Sequence, residues 1–161
     1  MKSIAVLGYS NTGKTTFIEH LTNAAAAAGI RTAILKFSRH PGDFDRPGSD
    51  TDRFLRTPAQ FVGYRNDERW VLSVPAPPPE GHDTPPIEVL PPWMEPLLRS
   101  VDLLVLEGRR LTDSYVVLCT GNAAVPEDYK YPPETADLVI TDDPAPAAAR
   151  LISIFTHGGI Q

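Results

Sequence analysis

Residues 8–15 place the strongest constraint on what this chain can fold into. They spell G-Y-S-N-T-G-K-T and match the whole pattern G-x-x-x-x-G-K-[ST], which belongs where a strand ends and a helix begins. Residues 4–7 are a short apolar run typical of a buried parallel strand, and apolar residues from Phe17 to Ala28 recur at helical spacing. Residues 32–37 form a second apolar run. The pattern therefore predicts a strand, loop, helix and strand in succession, with a right-handed crossover.

Each part of this loop suits the binding of a polyphosphate. Gly8 and Gly13 let the backbone turn so that successive amide N–H groups point inward, and the helix that starts near Lys14 adds its positive end. Lys14 would bridge the β- and γ-phosphates of a nucleoside triphosphate, and the Thr15 hydroxyl would be a ligand of Mg²⁺. The same loop also contains Asn11, Thr12 and Thr16. Each of these three either contacts the ligand or stabilises the turn itself.

The rest of the chain predicts an open α/β fold around this loop. Further strands are predicted at residues 101–106, 115–119 and 136–140, a short helix near Trp93, Leu97 and Leu98, and a final helix at residues 146–155. Residues 60–65 and 69–74 predict an antiparallel hairpin. The alternation indicates an α/β P-loop NTPase three-layer sandwich, with a mainly parallel sheet, helices on both faces and the hairpin as an extension. We expect a single domain over residues 1–161, with a proline-rich insert at about residues 75–96.

Bulk composition argues against several classes of protein. The net charge is -5 and the pI is near 5.3, whereas a nucleic-acid groove would make the balance basic. No apolar run approaches the roughly 18 residues of a membrane span, and the first apolar run has no signal-peptide cleavage site. We therefore expect a cytoplasmic protein that binds neither nucleic acid nor membrane. The one cysteine, Cys119, lies in an apolar strand and is expected to pack in the core.

Three segments together resemble one protein family. They are G-Y-S-N-T-G-K-T-T at residues 8–16, F-D-R-P-G-S-D-T-D-R at residues 44–53 and D-L-L-V-L-E-G at residues 102–108. In this order they resemble the MobB family, the GTP-binding adaptor proteins of molybdopterin-guanine dinucleotide biosynthesis, and the likeness spans nearly the whole chain. The chain departs from the family pattern at Ser49, where a lysine is usual, and at Arg109 and Arg110, where an aromatic residue and a lysine are usual.

The resemblance implies a specific function. The chain would be a GTP-binding homodimer that uses Mg²⁺ and assists the molybdopterin guanylyltransferase, the enzyme that attaches GMP to molybdopterin. Intrinsic GTP hydrolysis would be slow, so the chain would be at most a weak GTPase acting as an accessory protein. The preference for GTP over ATP depends mostly on the resemblance. The hairpin, which carries Phe61, Val62, Trp70 and Val71, could pair with a second copy across a two-fold axis.

Candidate residues also lie beyond the loop. Glu107 ends an apolar strand at the carboxyl edge of the sheet, where ligands bind in open α/β folds; it could hold Mg²⁺ or orient a hydrolytic water. Asp50 and Arg53 lie in a segment that could fold over the nucleotide, although Asp50 could equally cap a helix and Arg53 pair with a neighbouring acid. Asp142 follows the last strand, where guanine-specific NTPases place an aspartate for the base. Arg109 and Arg110 could neutralise an anion such as the pterin phosphate.

Two other functions remain open from the residues. A small-molecule kinase or ligase using ATP or GTP would also use Lys14 to position the γ-phosphate, but it normally has basic lid residues. Residues 75–92 contain no lysine or arginine, which is a poor composition for such a lid. A nickel metallochaperone would need clustered histidines or cysteines, and the sequence lacks them.

Overall fold

The computed structural model describes residues 1–37, 62–65, 67–68, 70–74, 90–121 and 132–157. The chain divides into two compact units. One comprises Met1–Phe37 and Thr84–Gln161, and the other comprises Ser38–Asp83. The expectation of a single domain over residues 1–161 stays a prediction.

The first unit contains five strands, three α-helices and two short 3₁₀ turns among the described residues. The strands are β1 (Lys2–Leu7), β2 (Thr32–Lys36), β5 (Leu103–Glu107), β6 (Tyr115–Cys119) and β7 (Leu138–Ile140). The helices are α1 (Lys14–Ala27), α2 (Glu95–Leu98) and α3 (Pro144–Thr156), and the 3₁₀ turns are Pro92–Met94 and Pro133–Thr135. Each predicted strand and helix in these ranges is present, with ends shifted by a few residues.

Strand β1 lies at the centre of the sheet, whose order is β2-β5-β1-β6-β7. Every pairing in it is parallel. The register places Val6 opposite Glu107, and Glu107 opposite Lys36. Because the strands are parallel, all their carboxyl ends meet at one edge, and the loops that follow them share that edge. The mainly parallel α/β sheet predicted from the sequence is confirmed.

Both faces of the sheet are buried, as parallel sheets require. One face forms a core with the two long helices α1 and α3, which contribute Phe17, Leu21 and Leu151. Alternation along the strands sends the next side chains to the opposite face. The buried residues there are Ala5, Leu7, Leu104, Leu106, Val116 and Leu118. The sequence predicted helices on both faces of the sheet. In the described residues, the two long helices α1 and α3 pack on the same face.

Local chemistry fixes the start of α3. Proline at the first helical position, Pro144, has no N–H to leave unsatisfied. The side chain of Asp143 accepts a hydrogen bond from the Ala145 amide at 3.0 Å and caps the helix. These two residues start the helix at Pro144, two residues before the predicted start at residue 146.

The second unit contains a two-stranded antiparallel hairpin. Its strands are β3 (Val62–Arg65) and β4 (Trp70–Ser73), with Tyr64 opposite Val71. This confirms the predicted hairpin. In β4, Leu72 is 54% exposed, so an apolar side chain of this strand faces solvent.

Two further expectations concern the insert and the membrane. Residues 75–89, most of the predicted proline-rich insert, lie outside the described residues, and from Leu90 the chain leads into the predicted short helix. None of the helices in the described ranges is long and apolar enough to cross a membrane. The cytoplasmic location stays a prediction.

Candidate nucleotide-binding site

The loop between β1 and α1 has a backbone path that favours glycine at two positions. Gly8 has a φ of 139° and Gly13 has a φ of 89°, both in the region that L side chains avoid. A Cβ atom on Gly8 would lie 2.2 Å from the carbonyl oxygen of Cys119 and 2.7 Å from the Thr12 hydroxyl. Asn11 has a φ of 63°, a conformation that asparagine tolerates better than most residues. The loop therefore passes directly against the end of β6 and then turns sharply into α1.

The start of α1 leaves backbone amides without a side-chain acceptor. Gly13 is the N-cap residue and no side chain caps the helix. The first turn holds no acidic residue. The first amides of a helix have no intrahelical acceptor and lie at its positive end. An incoming phosphate would supply the missing acceptors.

Lys14 lies over this loop and bonds to it. Its ammonium nitrogen donates to the Tyr9 carbonyl oxygen at 2.5 Å, and the Thr12 hydroxyl donates to the same oxygen at 2.8 Å. Burial lowers the pKa of Lys14, an effect that the charges of Glu107 and Cys119 oppose and that the charge of Lys36 reinforces. Partial removal from water strengthens the attraction of an ammonium group for an anion.

Glu107 lies on the same side of the sheet as α1. It is the last residue of β5, and Leu103 and Val105 of that strand pack in the core with α1, so alternation directs Glu107 to that face. Its side chain is 13% exposed and pairs with Lys36 at 3.5 Å between Nζ and Oε2. The next amide, that of Gly108, donates to the Val6 carbonyl at 3.0 Å. The carboxylate is thus fixed at the edge where the loop begins.

The end of β6 completes the loop's surroundings. A Cβ atom on Gly121 would lie 3.6 Å from the Thr12 Cα atom, so the chain after β6 contacts the loop. Thr120 is buried, and its hydroxyl lies 3.3 Å from the Ile140 carbonyl oxygen of β7. Burial raises the pKa of Cys119 to about 11, the Lys14 charge lowers it and the Glu107 charge raises it. Gly121 could not be identified from the sequence, because its contact with Thr12 depends on the order of the strands, as does the contact of Thr120 with β7.

Comparison with known proteins identifies the family. Residues 3–128 match the family model MobB, described as "Molybdopterin guanine dinucleotide synthesis protein B". The chain belongs to the MobB family. This confirms the resemblance seen in the sequence.

Individual MobB relatives are similar over part of their length. The molybdopterin-guanine dinucleotide biosynthesis adapter protein of Haemophilus influenzae is 35% identical over 80 residues, which are 50% of this chain and 45% of that protein. The protein of the same description in Escherichia coli is 31% identical over 105 residues, which are 65% of this chain and 57% of that protein. This chain therefore spans about half the length of the curated relatives it matches.

The fold is that of solved MobB structures. The crystal structure of Bacillus subtilis MobB superposes with a TM-score of 0.60, covering 95% of this chain and 96% of that one at 18% identity. At this identity the likeness supports the fold alone, and it agrees with the α/β architecture derived above.

Thr16 is exposed in the first turn of α1, and the site residues predicted outside the loop and its helix fall into three groups. Asp142 is exposed and follows β7 at the carboxyl edge, two strands from β1. Arg109 and Arg110 are half-buried, with the Arg109 guanidinium 5.8 Å from the centre of the Phe37 ring. The predicted contributors Asp50 and Arg53 lie outside the described residues.

The oxygen donors at this edge would fit Mg²⁺ brought in with phosphates. Among the described residues there is no group of three or more His, Cys, Asp or Glu that could hold a metal ion. Mg²⁺ commonly binds through one or two protein oxygens together with phosphates and water. The Glu107 carboxylate at the carboxyl edge and the exposed Thr15 in the first turn of α1 are oxygen donors of that kind.

Proposed function

We propose that this MobB chain binds GTP with Mg²⁺ at the carboxyl edge of its sheet and serves as an adaptor for guanylyl transfer to molybdopterin. The observation that carries the proposal is the glycine-shaped loop, which leads into an uncapped helix with the Lys14 ammonium over it. The adaptor role comes from the names of the similar proteins in Haemophilus influenzae and Escherichia coli. Hydrolysis of GTP by the chain itself would be slow.

Each residue of the loop has a distinct part in this proposal. The Lys14 ammonium would leave the Tyr9 carbonyl and bridge the β- and γ-phosphates, while the first amides of α1 hold their oxygens. Gly8 and Gly13 keep the backbone in the path that this requires. Thr15 and Glu107 would hold Mg²⁺, which neutralises charge on the phosphates when bound.

The decisive experiment compares nucleotide binding by the wild type and Lys14→Ala. Calorimetric titration with GTP in Mg²⁺ should show binding by the wild type and at least a tenfold loss in the variant, because a charge-assisted contact worth roughly 1.5–3 kcal/mol is removed. Circular dichroism provides the control that the variant is folded. Equal affinities in two folded samples would refute the proposal.

The base preference requires a separate comparison. Asp142 would accept hydrogen bonds from N1 and N2 of guanine, since it is exposed at the carboxyl edge after β7. Binding constants for GTP and ATP, measured for the wild type and Asp142→Ala, test this assignment. A guanine preference that persists in Asp142→Ala would remove this residue from the base site.

The adaptor proposal and the kinase alternative differ in what the bound triphosphate does. With a molybdopterin guanylyltransferase and molybdopterin present, an adaptor should stimulate guanylylation with little free hydrolysis. Rapid turnover on a small acceptor with ATP or GTP would instead favour a kinase or ligase. Reversing the charges of Arg109 and Arg110 in the same assay tests whether they bind the pterin phosphate.

We also propose that the chain forms a homodimer through its hairpin. Leu72 of β4 is exposed, and an exposed hairpin edge with apolar side chains can pair across a two-fold axis. Phe61 lies outside the described residues, as do the side chains of Val62 and Trp70, and Val71 is half-buried. Sedimentation that finds only monomer at micromolar concentration would contradict this proposal.

A further inference from the structure

We propose that Lys36 is a positioning residue: its ammonium group holds the Glu107 carboxylate in the nucleotide-free site and yields it to Mg²⁺ when the nucleotide binds. This inference rests on the proposed function, because it concerns the same metal step. Lys36 would therefore set the Mg²⁺ concentration at which the metal binds to the site.

The sheet register brings the two charges together. Lys36 is the last residue of β2 and lies directly opposite Glu107, the last residue of β5. Across the other side of β5, Glu107 lies opposite Val6, just before the loop. Val6 packs in the core with α1, so the carboxylate lies between Lys36 and the strand that leads into the phosphate loop.

Burial makes a cation at this place necessary. The Glu107 side chain is only 13% exposed, and a buried carboxylate without a counter-charge is costly. Lys36 provides that charge through a single contact of 3.5 Å between Nζ and Oε2. The charges of Lys14 and Glu107 also attract each other, but in the part of the chain that the structure describes only Lys36 lies within ion-pair distance of this carboxylate.

The pair is built so that one partner can leave. The Lys36 side chain is 63% exposed, and it stands at the end of the edge strand β2, so its ammonium group can move into water on its flexible stem. A divalent cation at Glu107 would repel an ammonium group only a few ångströms away. Lys36 and Mg²⁺ therefore compete for the same carboxylate.

The competition predicts the response to Lys36→Met, which keeps an apolar stem and removes the charge. Mg²⁺ is titrated at fixed concentrations of protein and of a fluorescent GTP analogue. The Mg²⁺ concentration at the midpoint of binding should be about fivefold lower in K36M than in the wild type. This factor corresponds to the upper range of the free energy of an exposed ion pair. In excess EDTA, the affinity of K36M for the analogue should match that of the wild type. Lys36→Arg keeps the competing charge and should keep the wild-type midpoint.

Two further variants separate this role from a general effect of charge. Arg99 forms an ion pair with Glu95, 2.7 Å long and with both side chains exposed, in the segment before β5, so Arg99→Met removes one positive charge away from the carboxyl edge and should leave the midpoint in place. Glu107→Gln removes the shared carboxylate. In that background, K36M should have no additional effect, because Lys36 acts through Glu107.

The outcomes are distinct. An unchanged midpoint in K36M, a loss of affinity in EDTA, or an equal shift in R99M or in the E107Q background would each overturn the role of Lys36. If the midpoint is unchanged in K36M while the wild type shows normal Mg²⁺-dependent binding, the proposed function stays intact. Failure of the wild type to bind the triphosphate, or an unaffected Lys14→Ala variant, would instead refute the proposed function and this inference with it.

Discussion

Replacing Gly8 by alanine tests how the phosphate loop is built. The added Cβ would lie 2.2 Å from the Cys119 carbonyl oxygen, so the backbone at the end of β6 must move. An alanine at a φ of 139° costs on the order of 1–3 kcal/mol in backbone strain. The forced movement adds on the order of 1–3 kcal/mol, as for other overpacked sites. Together these terms reach roughly 2–6 kcal/mol, a large part of the about 5–15 kcal/mol that holds a typical domain folded.

Gly13→Ala is the matched control for this prediction. Gly13 also has a positive φ, 89°, but a Cβ atom there would meet nothing within 4 Å. It should cost only the left-handed penalty of about 1–2 kcal/mol. Urea unfolding followed by circular dichroism gives the free energy of unfolding of each variant and of the wild type. Equal losses for Gly8→Ala and Gly13→Ala would show that the contact with Cys119 does not constrain the loop.

Three other predictions concern stability and reactivity. The Arg31 guanidinium donates hydrogen bonds to Asp102 at 3.0 and 2.9 Å and lowers the pKa of that carboxyl from 3.8 to about 2. The contribution of this pair to stability is therefore present above pH 3.8 and is lost as the pH falls toward 2. Asp102→Asn should make the melting temperature less dependent on pH between these two values. Asp143→Ala removes the cap on the Ala145 amide and should reduce the free energy of unfolding by about 1 kcal/mol in urea, whereas an unchanged value would mean that water caps the helix equally well. Cys119 is 1% exposed, so a thiol reagent should label it at the rate at which the protein opens, and fast labelling of native protein would contradict its burial.

The loop and most of the strands could be predicted because their signals are local. The loop pattern depends on residues that are adjacent in sequence, and the backbone path of the loop itself favours its glycines. Glu107 could be located because an apolar run ends there and a parallel sheet presents strand ends at one edge.

The contacts across strands could not be predicted in the same way. The pairing of Lys36 with Glu107 requires β2 to lie beside β5, and the contact of Gly121 with Thr12 requires β6 to lie beside β1. Sequence order does not give either neighbour. The capping role of Asp143, in contrast, was within reach, because aspartate followed by proline is a recognised start of a helix.

The central place of β1 has a consequence for synthesis of the chain. Both neighbours of β1 lie far downstream, since Lys2 pairs with Leu103 and Ile4 pairs with Tyr115. While the nascent chain leaves the ribosome, the first two strands lack the sheet partners that the described residues give them until β5 has emerged. Such distant pairings slow folding and leave apolar segments open to association. The amino-terminal strands of this protein would therefore depend on chaperones, or on rapid completion of translation, more than those of a fold whose neighbouring strands are consecutive.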